Sequence, residues 1–252
     1  MEPGLVFDLS HREGTGTAPR LAYNGADMRI RGIIFDFNGV IVDDEPLHAE
    51  AVLKTLKEEG IELSRETYYD KYLPFDDYHC IQKILQDHGE PCDEARIRDL
   101  MRRKAHHYDL RIRQSIPALT GSIEFVRSLP PELPAIIASG AAKREIEYIL
   151  KELDLCDRFV SVIASGDVTN SKPHPEAFIK AFGILKNSVP DLTHDEVLVF
   201  EDSYRGVEAA AQAGLKCVGI CTSYPPERLK AADLVIQSLD GWTIERLENA
   251  IP

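Results

Sequence analysis

From Ser115 onward the chain alternates short apolar runs with amphipathic segments of helical length, and that rhythm admits few folds. The runs are Ala135–Ser139, Phe159–Ala164, Val197–Glu201, Lys216–Cys221 and Leu234–Ile236. Around them lie the helix-like segments Gly121–Leu129, Ala141–Leu153, His174–Leu185, Tyr204–Ala213, Pro226–Ala232 and Thr243–Ala250. Continuous apolar strands are buried on both faces, the condition of a parallel sheet covered by helices. Pro130, Pro131 and Pro134 stop the first of these helices, and Gly214 stops a later one. The pattern predicts an α/β fold, a doubly wound parallel sheet with helices on both faces.

One further strand lies upstream. Ile30 to Phe35, interrupted by Arg31 and Gly32, runs into Asp36 and a turn at Gly39. Between Glu45 and about Arg113 no strand follows. The stretch PLHAEAVLKTLKEEG brings Leu47, Ala51, Leu53, Leu56 and Ile61 near one helical face, with Gly60 as its stop. Further helices are expected at Tyr68–Leu73, Asp77–His88 and Asp93–Arg111. The chain therefore divides into a core of residues 28–44 and 114–252 and an all-helical insertion at 45–113. Residues 1–27 carry glycines, Pro3 and Pro19 with little periodicity, and are expected to be a poorly structured extension. They lack the basic start, apolar centre and cleavage site of a secretory signal. Met28 stands directly before the first strand and is the expected functional start; a native product beginning at Met1 would refute that.

Composition excludes several classes of function. A net charge of −13 argues against nucleic acid, whose phosphates require a basic footprint. No apolar run reaches the roughly 18 residues of a membrane span. The five cysteines form no CxxC pair, and an odd count suits a reducing compartment. A soluble cytoplasmic protein is expected, with Cys217 and Cys221 as small buried hydrophobes. Oligomeric state leaves no trace in the sequence.

The candidate chemistry lies where strands end. In open α/β sheets ligands collect outside the carboxyl ends of the strands, which is where Asp36 falls. A carboxylate there also serves as a helix cap or a loop acceptor. IIASG delivers Ser139 and Gly140 to the same edge ahead of a helix N-terminus, where free N–H groups and a hydroxyl cradle phosphate; Ser139 as a plain N-cap is the alternative. SKPHPEAF holds Lys172 on a short loop stiffened by Pro173, a fixed point charge for a phosphoryl oxygen. VFEDS brings Glu201 and Asp202 out at the end of a strand. Gathering Asp36, Glu201 and Asp202 at one rim is costly without a cation. Mg²⁺ suits the set, taking hard oxygen ligands and sharing its other positions with water and substrate phosphate.

FDFNGVIVDDEP, IIASG, SKPHPEAF and VFEDSYRGVEAA, in that order, resemble the four motifs of the haloacid dehalogenase-like superfamily. The helical insertion behind the first motif resembles the cap of its phosphoglycolate phosphatase and β-phosphoglucomutase branch. The resemblance implies a Rossmann-like core with a mobile cap that closes over the substrate. It implies Asp36 as a nucleophile forming an aspartyl-phosphate that water hydrolyses, with Ser139 and Lys172 holding the phosphoryl group. It further implies Mg²⁺ held by Asp36, the backbone carbonyl of Asn38 and Asp202, with Glu201 assisting through water.

One residue departs from the pattern. Family phosphatases and mutases carry a second aspartate two residues after the nucleophile, as general acid and base, and this chain has Asn38. An amide cannot exchange a proton near neutral pH, which puts about 10²–10⁴ in rate at risk. Turnover is then slow or confined to good leaving groups, or another group substitutes, or phosphate compounds bind without reacting. His48 or a metal-bound water is the candidate substitute, with His48 otherwise a polar packing residue; with Asp44 it is also a candidate substrate or cap-hinge residue. The basic helix Arg96, Arg98, Arg102, Arg103, Lys104, Arg111 and Arg113 either attracts anions or offsets neighbouring acids, with His106 and His107 on a solvated face. Mutases of the branch grip a second phosphate with a cap arginine in a Gly-x-x-Arg context. KYLPFDDYHCI has Pro74 in place of that glycine and no nearby arginine, which favours a phosphatase. The retained Glu201–Asp202 pair argues against metal-free dehalogenation. The expected function is Mg²⁺-dependent hydrolysis of a small phosphorylated metabolite such as a sugar phosphate. The alternatives are a β-phosphoglucomutase-like transferase and a non-catalytic phospho-ligand binding protein.

Overall fold

The computed structural model describes residues 30–251. The expected extension at 1–27 and the start at Met28 lie outside them. Six strands, β1 (Gly32–Phe35), β2 (Ala135–Ala138), β3 (Ser161–Ile163), β4 (Val197–Glu201), β5 (Lys216–Ile220) and β6 (Leu234–Ile236), form one sheet in the order β3-β2-β1-β4-β5-β6. Every pairing is parallel. This is the doubly wound α/β architecture that the strand and helix rhythm predicts.

Side chains alternate between the two faces of each strand, so consecutive residues feed different cores. Ile33 and Phe35 point into one with Phe125, Phe159 and Phe200; Ile34, Ile136 and Val199 point into the other with Phe178, Ala181 and Leu185. At the sheet centre Phe35 stacks on Phe200 with centroids 4.9 Å apart. The helices that follow β1 within the core are α5 (Thr120–Ser128), α6 (Lys143–Glu152), α7 (Glu176–Ser188), α8 (Tyr204–Gln212), α9 (Pro226–Leu229) and α10 (Ile244–Ala250), numbered after four helices of the insertion.

Those four are α1 (Glu45–Glu58), α2 (Arg65–Lys71), α3 (Asp77–Asp87) and α4 (Glu94–Ile112). Their ends are written in the sequence. Ser64, Asp76 and Asp93 cap α2, α3 and α4, each side chain accepting from a backbone N–H three residues on at 3.0 Å. Val52, Leu56, Tyr72, Ile81, Ile84 and Leu100 close a separate apolar core among these helices. The face of α1 differs from the expected one: Ala49, Val52 and Leu56 meet that core, Ala51 turns to the sheet side, and Leu47 and Leu53 are half-buried.

Four other expectations shift. Helix α6 begins at Lys143, not Ala141, because the Ala141 N–H bonds to Ser139 Oγ at 3.1 Å and holds the chain in a turn. Cys217 is buried, whereas Cys221, just past the end of β5, is half-buried. On α4, Lys104 is not part of the solvated basic face: it is buried among the apolar positions Ile97, Leu100, Tyr108 and Ile112. Other basic residues of that helix do offset acids, Arg96 with Glu59 and Glu90, Arg103 with Glu58 and Glu59, and Arg111 with Glu50, while Arg113 lies over the Tyr148 ring. His107 is also drawn in, its Nε2 lying 2.8 Å from Glu58, while His106 stays exposed.

Candidate active site

The register of the sheet assembles the site. Phe35 sits beside Ile137 on β2 and Phe200 on β4, so the next residues, Asp36, Ala138 and Glu201, come level at one edge. The Asp36 N–H donates to the Phe200 carbonyl at 2.9 Å, which fixes that level. The chain then turns at Gly39, whose φ of +75° belongs to glycine. A Cβ there would also collide with the Asp202 carboxylate.

Lys172 reaches into this edge from the loop before α7. Its Nζ donates to Asp36 Oδ1 at 2.7 Å, to Glu201 Oε1 at 2.5 Å and to the Ala138 carbonyl at 3.1 Å. The loop is held from two sides. The Arg205 guanidinium donates twice to the Lys172 carbonyl, at 2.6 and 3.0 Å, and Glu176 accepts from the Thr169 and Asn170 N–H groups. The Lys172–Pro173 peptide is cis. Glu201 has no oxygen to spare: Oε2 accepts from the Asp202 N–H, the Ser203 N–H and the Ser203 hydroxyl at 2.9–3.1 Å. Gly206 on α8 leaves room for that carboxylate, since a Cβ would strike it.

The electrostatics follow from burial. Burial raises the Asp36 pKa, Lys172 draws it back, and the balance stands at about 6. Burial works against the charge on Lys172, but Asp36 and Glu201 outweigh it and hold the ammonium more firmly than usual. Asp202 is pushed well above the ordinary carboxylate range, first by burial and then by the charges of Glu201 and Asp36. Oxygens of Asp36, Glu201 and Asp202 all lie within 4.8 Å of one another. Three buried carboxylates facing a single lysine fit a divalent cation, because the donors are hard oxygens and the lysine offsets only one of their three charges.

The remaining predicted residues divide. Ser139 is buried at the same edge, its Oγ donating to Asn38 Oδ1 at 3.4 Å, and Gly140 beside it is exposed. Asn38 turns its Nδ2 to Asp44 Oδ1 at 2.7 Å. Asp44 is buried and also accepts from the Tyr108 hydroxyl. Burial would raise its pKa, but His48 and the hydrogen bonds from His48, Tyr108 and Asn38 carry it below the usual value. His48 stacks on Tyr108 with centroids 4.2 Å apart and sets Nε2 3.3 Å from Asp44. Lys104 Nζ donates to His48 Nδ1 at 2.6 Å and to Asp77 at 2.8 Å. His48 thus packs inside a polar chain, with Asp44 at one ring nitrogen and Lys104 at the other.

Lys104, Tyr108 and Arg205 were not legible as site residues. For the first two a signal exists: spacings of three and four place Ile97, Leu100, Lys104, Tyr108 and Ile112 on one stripe. A lysine within an apolar stripe requires a buried partner. Arg205 carries no such signal, since a basic residue in a first helical turn is ordinarily solvated.

Known proteins match the chain in sequence and in fold. The sequence model of the haloacid dehalogenase-like hydrolases matches residues 33–220. A phosphorylated carbohydrates phosphatase of Thermotoga maritima is 30% identical over 197 residues, covering 74% of this chain and 83% of its own length. A chloroplastic 5-amino-6-(5-phospho-D-ribitylamino)uracil phosphatase of Arabidopsis thaliana is 27% identical over 86% of this chain, which spans 57% of that relative's length. The crystal structure of β-phosphoglucomutase from Clostridium difficile shares the fold, with a TM-score of 0.76 at 23% identity over 88% of this chain and 96% of that one. With four motifs converging on one sheet edge and a match over most of its length, the chain belongs to the haloacid dehalogenase-like hydrolases.

Proposed function

We propose that this protein is a Mg²⁺-dependent phosphohydrolase of a small phosphorylated metabolite, with sugar phosphates as the first class to test. The observation that carries this reading is Asp36 at the end of the central strand, with Oδ1 tied to Lys172 and Asp202 alongside. That leaves Oδ2 to attack phosphorus. Relatives named as phosphatases of phosphorylated small molecules support the substrate class. Residues 45–113 act as the cap; Ser171, next to Lys172, donates to Asp76 at the start of α3 at 3.1 Å, a contact suited to holding cap against core.

Asp36, Asp202 and the Asn38 backbone carbonyl would hold the Mg²⁺, with Glu201 acting at one remove because its oxygens are taken. Bound there, the ion supplies charge neutralisation for the phosphoryl oxygens. Lys172, the Ser139 hydroxyl and the Gly140 N–H hold the same group. Asp36 Oδ2 forms a bond to phosphorus as the bond to the leaving oxygen breaks. With an amide at position 38, the leaving oxygen takes its proton from water. A water then attacks phosphorus, the bond to Asp36 breaks, and inorganic phosphate leaves while the water's proton passes to solvent. Both steps forgo general acid–base help, which slows turnover by about 10²–10⁴.

Asn38 supports a second reading, a phospho-ligand binding protein that has lost turnover. A β-phosphoglucomutase-like transfer is disfavoured by the missing cap arginine near Pro74. With Mg²⁺ and an activated aryl phosphate, phosphate release should scale with protein and Asp36→Ala should abolish it. Absence of release from both the wild type and residue-38 variants, across a panel of phosphorylated metabolites, would defeat the hydrolase reading. Phosphoprotein trapped in the wild type would mean that capture works and release is slow.

A further inference from the structure

Asn38 and Asp44 face each other across the turn that follows β1, with Asn38 Nδ2 donating to Asp44 Oδ1 at 2.7 Å. Asp44 is fully buried, and its second oxygen is engaged by the Tyr108 hydroxyl and His48 Nε2. An ionised carboxylate only accepts hydrogen bonds, so whatever meets Oδ1 must donate. This settles which end of the Asn38 amide points where: the NH₂ goes to Asp44, and Oδ1 turns to Ser139, on the side where the phosphoryl group is expected. An ionised aspartate at position 38 offers Asp44 no donor. It sets one carboxylate against another that is fully buried, where like charges and an unmatched acceptor are both costly.

We propose that Asp44 is the positioning residue for position 38. It locks the Asn38 amide with its acceptor toward the phosphoryl site, and it makes the position refractory to aspartate alone. An acid–base carboxylate can be installed at 38 only if residue 44 changes with it. Asn38→Asp with Asp44→Asn exchanges donor and acceptor across the same hydrogen bond, and the asparagine Oδ1 still accepts from Tyr108. The kinetic consequence rests on the phosphohydrolase reading; the pairing itself does not.

The test is a double-mutant cycle read in two ways, on thermal unfolding and on Mg²⁺-dependent hydrolysis of an aryl phosphate. N38D alone is expected to lower Tm by roughly 5–10 °C, and D44N in the same chain to recover most of that loss. Steady-state kcat should rise on the order of 10²-fold or more in the double variant and by no more than a few-fold in N38D. Additive stability losses overturn the proposal. So does an N38D that is as stable and as fast as the double variant, or a double variant no faster than an active N38D. Coupled stabilities with no hydrolysis from any of the four proteins leave the pairing supported and remove the hydrolase reading instead.

Discussion

The tightest constraint at the site falls on a residue without a side chain. Gly39 combines a φ of +75° with a space already filled by the Asp202 carboxylate. Alanine there is strained twice, by its backbone and by the collision, so the turn must shift or Asp202 must leave its place. Gly39→Ala should cost roughly 2–4 kcal/mol, seen as a lower urea midpoint at unchanged slope. A midpoint equal to wild type would mean that the turn has slack the geometry denies it. Asp36, Lys172 and Asp202 were legible in the sequence for a related reason: each stands where an apolar run or a proline-stiffened loop stops, and such endings are local. The bond from Asn38 to Asp44 was not, although both residues were singled out. Six residues apart on a turn, their meeting depends on the path of the backbone, which no spacing rule supplies.

Helices and strands of the core could be read because burial on both faces leaves an unbroken apolar run, as at Val197–Glu201, whose bounds agree with β4. Boundaries drifted where local hydrogen bonds compete with helix, as the Ser139 turn does ahead of α6. Inside the insertion, the contacts between helices were hidden. Glu45 in the first turn of α1 accepts from the Tyr68 hydroxyl of α2 at 3.0 Å. Burial raises its pKa to about 7, with His48 and the Tyr68 bond pulling the other way. The folded protein therefore keeps a proton on Glu45 between its ordinary value of 4.5 and about 7, while the unfolded chain has lost it. Stability falls as pH rises through that window. Glu45→Gln retains an acceptor for Tyr68 and removes the titration. The Tm of the variant should match wild type near pH 5 and exceed it by roughly 2–5 °C at pH 8. A gap that stays flat across that range would show that Glu45 keeps an ordinary pKa.

At the scale of the molecule, the proposed ion would be linked to stability. Asp36 and Asp202 stand just past the ends of adjacent strands, and the pair leaves the folded state with a buried carboxylate that Lys172 does not neutralise. The raised pKa of Asp202 has burial as its first cause, so above the unfolded value of 3.8 its charge weakens the fold, increasingly as pH rises. A cation that binds the folded state alone reverses this, stabilising by about 2.7 kcal/mol at a hundred times its Kd. For a chain of this size that is roughly 5–10 °C in Tm. Asp202→Asn keeps the shape and removes the charge. At pH 7.5 in EDTA it should unfold roughly 2–6 °C above wild type, and Mg²⁺ should move it little, so that excess Mg²⁺ brings the wild type level with or above the variant. The crossing of the two curves separates a metal site from a cluster of acids, since a cluster without an ion gives the first difference but not the second. A wild type whose Tm ignores millimolar Mg²⁺ would remove the ion from the reaction and leave Lys172 as the sole counter-charge to the phosphoryl group.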